Sequence, residues 1–160
     1  MSIKDDDNKV VPLHENLKAL GNSAVNKALY EREGVDKSLL EKFPNPYFHH
    51  NKNKVSGTVH IETKEFSSLC PLTGQPDWAN IVIEYSPDEF CVESKSLKLY
   101  LGSFRHQGEF HESCINRICN DLVDLLHPNW VEVKGEFTPR GGVAFHPVAE
   151  WHQEWLDHED

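Results

Sequence analysis

The sequence predicts an α+β domain in which a mostly antiparallel sheet carries two helices on one face. Alternating apolar residues precede and follow a central region, and that region contains two amphipathic helical patterns. The resulting order is strand, strand, helix, helix, strand, strand, which is typical of layered α+β domains. The chain has 160 residues, of which 38% are hydrophobic, so we expect one domain with a short appendage.

Three segments are predicted ahead of the sheet. Residues 1–15 are acidic and predict a flexible arm, and residues 17–30 predict a helix that an internal Gly-Asn pair weakens. Residues 36–43 predict a short helix, because the prolines at positions 44 and 46 would end it. We therefore expect an N-terminal arm with short helices over residues 1–45 and the main domain over residues 46–160.

The main domain contains four segments with the alternation of strands and two with helical spacing. The predicted strands cover residues 56–62, 80–85, 130–137 and 143–148. Residues 95–105 and 111–126 repeat apolar side chains at helical intervals, and Ser94 is the predicted N-cap of the first helix. Both helices lie between the second and third strands in the sequence.

Charge and composition restrict the partners of the protein. The net charge is −10, which disfavours duplex nucleic acid and anionic membranes. No apolar run approaches the ~20 residues of a membrane span, and Met1–Lys9 lacks the apolar segment of a secretory signal. We expect a cytoplasmic protein whose four cysteines remain thiols.

The run Cys70-Pro-Leu-Thr-Gly-Gln-Pro-Asp77 contains the strongest chemical signal. Pro71 and Pro76 fix φ and Gly74 permits a tight bend, so we expect a folded loop, neither helix nor strand. Such a loop can bring the Cys70 thiol and the Asp77 carboxyl to one site for covalent catalysis. The alternatives are a structural thiol and a zinc site, and no Cys-x-x-Cys pair supports zinc.

Two predicted helix starts carry further candidate groups. Lys95 and Lys98 would share the exposed face of the first helix, where they form either a solvated surface or a phosphate site that Arg140 could join. Glu112, near the start of the second helix, either complements the helix dipole or accepts from the adjacent N–H donors of a flat heterocycle. No Gly-x-Gly-x-x-Gly follows a strand, which argues against a Rossmann fold.

Four runs together resemble the QueF family, the NADPH-dependent nitrile reductases of queuosine biosynthesis. That family reduces 7-cyano-7-deazaguanine (preQ0) to the aminomethyl compound preQ1. The resemblance covers roughly residues 40–148, the length is similar to the short single-module branch, and the runs are Leu69–Asp77, Val92–Tyr100, Phe110–Glu112 and Phe137–Gly142.

The resemblance implies a tunnelling (T) fold whose subunits close a barrel through their sheets. It also implies active sites between subunits of a homo-oligomer, typically a decamer of two stacked pentamers. Residues 46–160 would then be the T-fold catalytic domain. The N-terminal region and the tail at residues 149–160, with Trp151 and Trp155, match the family less clearly, and their roles stay open.

The resemblance also implies a role for individual positions. Cys70 would be the nucleophile that attacks the nitrile carbon, and Asp77 would protonate the nitrogen to give a thioimide. Two NADPH-dependent reductions would follow, separated by release of the thiol, and no metal is expected. The implied pocket residues for preQ0 are Val92, Glu93, Ser94, His111 and Glu112, and the implied NADPH contacts are Lys95, Lys98 and Arg140.

Two functions of other kinds remain open. One is a T-fold amidino or ammonia transferase that acts on a tRNA nitrile through the same thioimide. The negative net charge disfavours it, and the basic cluster would have no purpose there. The other is a non-catalytic ring protein that binds a purine or pterin, which the intact pair of Cys70 and Asp77 disfavours.

Overall fold

A computed structural model describes residues 2–4, 10–12, 34–46 and 56–154 of the chain. The helix predicted over residues 17–30 and the tail beyond residue 154 lie outside the described residues. Strand β1 (Ser2–Lys4) pairs antiparallel with β2 (Val10–Pro12). The flexible arm predicted for residues 1–15 is therefore wrong at these two segments, which form a β-ribbon.

The rest of the described chain forms further strands and two α-helices. In chain order these are β3 (Lys42–Pro44), β4 (Val59–Leu69), β5 (Pro76–Ser86), β6 (Phe90–Val92), α1 (Ser94–Gly102), α2 (His111–Leu126), β7 (Trp130–Phe137) and β8 (Val148–His152). Strands β4, β5, β7 and β8 form one antiparallel sheet in that order. The predicted ββααββ order is confirmed.

Periodicity predicted several elements correctly. The strand over residues 130–137 and the helix over residues 111–126 are confirmed, and the strand over residues 80–85 is the centre of β5. The first helix ends at Gly102 and continues as a 3₁₀ turn over Ser103–His106. The strand predicted over residues 56–62 starts later and runs further, as β4.

Two predicted elements are wrong. The helix predicted over residues 36–43 is a 3₁₀ turn at Lys37–Leu39 followed by β3, which pairs with β6. The strand predicted over residues 143–148 begins only at Val148. Residues 145–147 lie beside β7 without a regular ladder, and Pro147 has no N–H to donate to one.

The prediction that the loop from Cys70 to Asp77 contains no strand is also wrong at its end. Pro76 and Asp77 are the first residues of β5, and Asp77 pairs with Ser68 of β4. Proline is tolerated at the first position of a strand, because the ladder does not require its missing donor there. The two strands therefore bring the two ends of the loop together.

The helices cover one face of the sheet, and the core lies between them. Alternation along β5 directs Ala79, Ile81 and Ile83 towards this core, where each is at most 4% exposed. Gly135 on β7 lets α2 approach closely, because a Cβ there would lie 2.7 Å from Cδ1 of Ile115. Each fully buried Ile or Leu contributes about 1.5–3 kcal/mol. The apolar stripe of α2 consists of Ile115, Ile118, Cys119, Leu122 and Leu126.

The opposite face of the sheet is polar. Its side chains form polar contacts, including Nδ1 of His60 with Glu84 at 2.8 Å and the ion pair of Lys134 with Glu136 at 2.8 Å. In the part of the chain that the structure describes, no helix is long and apolar enough to cross a membrane.

Candidate active site

The Cys70 loop is closed by its own backbone. The N–H of Cys70 donates to the carbonyl oxygen of Gln75 at 2.8 Å, and the N–H of Gly74 donates to that of Cys70 at 2.9 Å. Gly74 has a φ of 67°, a conformation that favours glycine. The loop therefore holds the thiol at the end of β4, next to the start of β5.

The segment before α2 forms a second wall beside Cys70. The N–H of Leu69 donates to the carbonyl oxygen of Gln107 at 2.9 Å, and the N–H of Glu109 donates to that of Leu69 at 3.0 Å. Gly108 lies against Pro71, because a Cβ there would be 3.4 Å from the Pro71 Cα. These contacts place the N-terminus of α2 next to the thiol loop.

Asp77 lies between a histidine and an arginine. Its side chain is nearly buried, with the whole residue 3% exposed. One carboxylate oxygen, Oδ2, is 3.2 Å from Nε2 of His111, and the other, Oδ1, accepts a hydrogen bond from Nη2 of Arg140. The His111 ring stacks on Phe137 with centroids 3.9 Å apart. A buried carboxyl group needs such partners for its oxygens.

Cys70 differs from the other cysteines in the direction of its pKa shift. Hydrogen bonds from Thr73 and Arg140 lower the pKa of the Cys70 thiol to about 6. At neutral pH this thiol is therefore mostly in its nucleophilic, ionised form.

Burial has the opposite effect on the remaining three cysteines. It raises the pKa of Cys91, of Cys114 to about 12 and of Cys119 to about 11, so these thiols stay protonated at neutral pH. All four cysteines are free, as the sequence predicted.

A cavity of about 240 Å³ opens between these groups. It contains the thiol of Cys70 and the carboxyl groups of Asp77 and Glu112, with His111 and Arg140 in its wall. Four exposed apolar side chains surround it: Leu72, Phe110, Val143 and Phe145, each more than half exposed. The complete lining also includes Pro71, Glu109 and Thr138.

The other predicted site residues lie at the far end of the sheet. The N–H of Val92 donates to the Tyr85 hydroxyl at 3.1 Å, and Tyr85 is eight residues after Asp77 on β5. At 3.4 Å per residue that separation is about 27 Å. The structure therefore brings together Cys70, Asp77, His111, Glu112 and Arg140, and it places Val92, Glu93, Ser94, Lys95 and Lys98 away from them.

Glu93, and not Ser94, is the N-cap of α1. Its carboxylate accepts hydrogen bonds from the backbone N–H groups of Lys95 at 3.0 Å and Ser96 at 2.7 Å, and the residue is 5% exposed. The predicted cap at Ser94 is wrong by one residue, because glutamate reaches the same orphan donors. Lys98 is exposed and Lys95 is half-buried.

Two groups were missed from the sequence, one beside the Cys70 thiol and one in the cavity wall. Thr73 donates to the Cys70 thiol, and its position three residues later within a tight loop was the available signal. Glu109 contributes a buried carboxyl whose Oε1 pairs with Arg117 at 3.1 Å, while Oε2 has no hydrogen-bond partner among the described residues. Burial raises the pKa of Glu109. No pattern in the sequence distinguished this glutamate from a solvated one.

An ionised thiol and a buried carboxyl group in one cavity are the equipment of enzymes that work through a covalent sulfur adduct. The family described as QueF-like protein matches this chain over residues 76–155, half its length. The chain belongs to this family, as the sequence motifs indicated.

Named relatives align with most of the chain. It is 50% identical over 133 residues to the NADPH-dependent 7-cyano-7-deazaguanine reductase of Streptococcus mutans, a match that spans 83% of this chain and 76% of the relative. The reductase of the same name from Bacillus subtilis is 50% identical over 137 residues, spanning 86% and 78%.

A solved structure supports the fold. The archaeosine synthase QueF-Like in the apo form matches with a TM-score of 0.56 and 24% identity, over 61% of this chain and 95% of that one. At this identity the likeness shows a shared fold and nothing about the reaction.

Proposed function

We propose that this protein is an NADPH-dependent nitrile reductase that converts preQ0 to preQ1 in queuosine biosynthesis. The observation that carries the proposal is that the acidic thiol of Cys70 and the buried carboxyl of Asp77 share one cavity. Relatives that are 50% identical bear the name of this activity. The neighbouring His111 and Glu112 offer the hydrogen bonds that a deazaguanine needs.

The chain supplies the nucleophile and the proton for nitrile addition. The Cys70 thiolate attacks the nitrile carbon, a carbon–sulfur bond forms, and one π bond of the nitrile breaks. Asp77 acts in its protonated form: it gives its proton to the nitrogen and is left as a carboxylate, so that a neutral thioimide results. His111 contacts Asp77 at 3.2 Å and is placed to return a proton to it.

NADPH, when bound, supplies the two hydrides that reduce carbon. The residues fit its phosphates in their chemistry: Lys95 lies in the first turn of α1, Lys98 is an exposed ammonium one turn after it, and the guanidinium of Arg140 is partly exposed. After the first reduction the carbon–sulfur bond breaks and the Cys70 thiolate leaves. Expulsion of a thiolate is favoured by the low pKa of Cys70, about 6.

A single absorbance assay tests the proposed function. Addition of preQ0 to the protein with NADPH should consume the nicotinamide absorbance band at two cofactors per amine formed. NADPH without preQ0 should stay constant. Lack of any NADPH consumption, with formation of an amidine from ammonia instead, would assign the protein to the transferase class.

Glu112→Gln should weaken recognition of the heterocycle more than the nitrile chemistry. The carboxylate can accept from two adjacent N–H groups, whereas an amide would face one N–H with another. An unpaired buried donor costs about 1–3 kcal/mol, so preQ0 binding should fall by roughly 5- to 150-fold. Calorimetry in a Cys70→Ala background, which blocks the covalent step, would measure this loss.

The matched control for this substitution is Glu154→Gln, which changes an exposed carboxylate outside the cavity in the same way. In the same Cys70→Ala background it should bind preQ0 as the parent does. Equal affinity in Glu112→Gln and its parent would leave Glu112 as a helix-end charge only.

The complete site is proposed to form between subunits. The cavity groups and the group around Glu93 and Lys98 belong to opposite ends of β5, so one chain cannot present both to one substrate. A neighbouring subunit can bring its α1 to this cavity. The outer strands β4 and β8 have no further strand beside them among the described residues, and such edges can pair between subunits.

These edges support a T-fold barrel that several subunits close together, and a decamer of two stacked pentamers is our proposal for the assembly. The domain boundary at residue 45 belongs to the same proposal. We also propose a cytoplasmic location, since four free thiols suit a reducing compartment. The proposed partners are the small-molecule substrate and other copies of the chain, without nucleic acid or membrane.

Mixing two inactive variants tests the shared site. If Cys70 of one subunit works with Glu93 of the next, Cys70→Ala and Glu93→Gln subunits should be inactive alone. Random mixed assemblies should regain roughly a quarter of the wild-type activity, since each half-site is intact in half of the subunits. The subunits are dissociated, mixed and reassembled, and NADPH consumption is measured.

The control is a mixture of Cys70→Ala with Asp77→Asn, which lie in the same cavity and cannot complement each other. Mixtures of Cys70→Ala and Glu93→Gln that stay as inactive as this control would refute the shared site.

A further inference from the structure

Arg140 is held in place by a tight hairpin. Its N–H donates to the carbonyl oxygen of Val143 at 3.0 Å, and the N–H of Val143 donates back at 3.0 Å. The two residues between them, Gly141 and Gly142, have φ values of 57° and 83°, as a two-residue hairpin of type I′ requires. The backbone beneath the guanidinium is therefore well defined.

The guanidinium of Arg140 contacts both reacting groups of the cavity. Its Nη2 donates to Oδ1 of Asp77, and a further hydrogen bond reaches the thiol of Cys70. Its side chain is still 42% exposed. Because a guanidinium presents five N–H donors in a planar fork, these two contacts leave donors for another anion.

The charges around Cys70 make the contact with Arg140 important for the ionisation of the thiol. The cavity lining contains three carboxyl groups, and carboxylates near a thiol disfavour its ionised form. Against them the lining offers one guanidinium and one imidazole. The titratable and charged groups that line the cavity with Cys70 are Asp77, Glu109, His111, Glu112 and Arg140.

We propose that Arg140 is a positioning residue for nitrile addition, whose guanidinium fork bridges Cys70 and Asp77 and keeps the thiol ionised. This role is additional to the NADPH contact that the sequence resemblance implies. Its place in the reaction rests on the proposed function, whereas the state of the thiol can be measured without substrate or cofactor. A residue that only fastened the hairpin would not change the titration of Cys70.

Alkylation of Cys70 by iodoacetamide tests the proposal. The thiolate displaces iodide, so the rate follows the ionised fraction, and mass spectrometry of the Cys70 peptide separates it from the other three cysteines. In wild type the rate should rise with a midpoint near pH 6, in line with a pKa of about 6. In Arg140→Gln the midpoint should move up by about one pH unit, which lowers the rate at acidic pH about tenfold.

Two further variants test whether the planar guanidinium causes the shift of the alkylation midpoint. Arg140→Lys keeps the charge but loses the planar fork, so its midpoint should lie between those of wild type and Arg140→Gln. Lys134→Gln removes a cation from the polar face of the sheet, outside the cavity. It should leave the alkylation midpoint at the wild-type value.

A midpoint in Arg140→Gln equal to that of wild type would overturn the proposal. An equal shift in Lys134→Gln would also overturn it, because net charge would then explain the effect. Circular dichroism checks that each variant is folded. If Arg140→Gln does not fold, Arg140→Lys decides alone, and a wild-type midpoint in it would overturn the role of the planar fork. A wild-type protein that does not reduce preQ0 would end the proposed function and leave these titrations standing.

Discussion

Cys70→Ala is expected to abolish preQ0 reduction and to leave preQ0 binding nearly unchanged. The alanine cannot form the carbon–sulfur bond, whereas His111 and Glu112 keep their places in the cavity. Mass spectrometry of the wild type with preQ0 and without NADPH should show a covalent adduct on Cys70. The same experiment on Cys70→Ala should show none, while calorimetry still detects binding.

Cys119→Ala is the matched control for loss of a thiol. Cys119 lies on the core side of α2, is 4% exposed and does not line the cavity. This variant should lose some stability through the small void and keep the adduct and turnover. An adduct that persists in Cys70→Ala would move the nucleophile to another residue.

Asp77→Asn is expected to slow thioimide formation by ~10²–10⁴-fold, the usual contribution of a general acid. The change is nearly isosteric, and the amide can still contact His111, so the fold should persist. Rapid mixing with preQ0 in the absence of NADPH would follow adduct formation directly. A variant that forms the adduct at the wild-type rate would leave Asp77 as an early residue of a strand and no more.

Alkylation supplies the internal control for Asp77→Asn. The amide of Asn carries no charge that could disfavour the thiolate, so Cys70 should react with iodoacetamide at least as fast as in wild type. Slow adduct formation together with undiminished alkylation would separate loss of the proton from loss of the nucleophile. If adduct formation and alkylation slow equally, the substitution has disturbed the Cys70 loop.

Elements with a long, regular pattern were predictable from the sequence. Helix α2 repeats apolar residues through 16 positions, and β7 alternates through eight, so local periodicity and tertiary burial agree. Strands β3 and β6 are three residues each, and they are stabilised by pairing across about 50 residues of chain. No local pattern specifies such a pairing, and the prolines at positions 44 and 46 suggested the end of a helix in its place.

The thiol and carboxyl of the site were predictable because they share one short loop. Their proximity follows from the prolines and the glycine of that loop, which the sequence shows directly. The contact of Arg140 with both groups was not predictable, because it depends on how a hairpin 63 residues after Asp77 returns to the end of β5. The wide separation of Glu93 from Cys70 within one chain likewise follows from topology and not from residue type.

The alternation of side chains along β5 limits where residues can be inserted or deleted. Asp77 lies on the same face of this strand as Ala79, Ile81 and Ile83, so burial of the core and orientation of the carboxyl share one register. Insertion of a single residue between Asp77 and Ala79 would turn the carboxyl to the polar face, since side chains alternate strictly. Trp78 is more than half exposed on that face. Deletion of Trp78 would put Asp77 in its position there. Natural variants of this enzyme should therefore tolerate insertions in the segment between Val143 and Pro147 and exclude them within the first residues of β5.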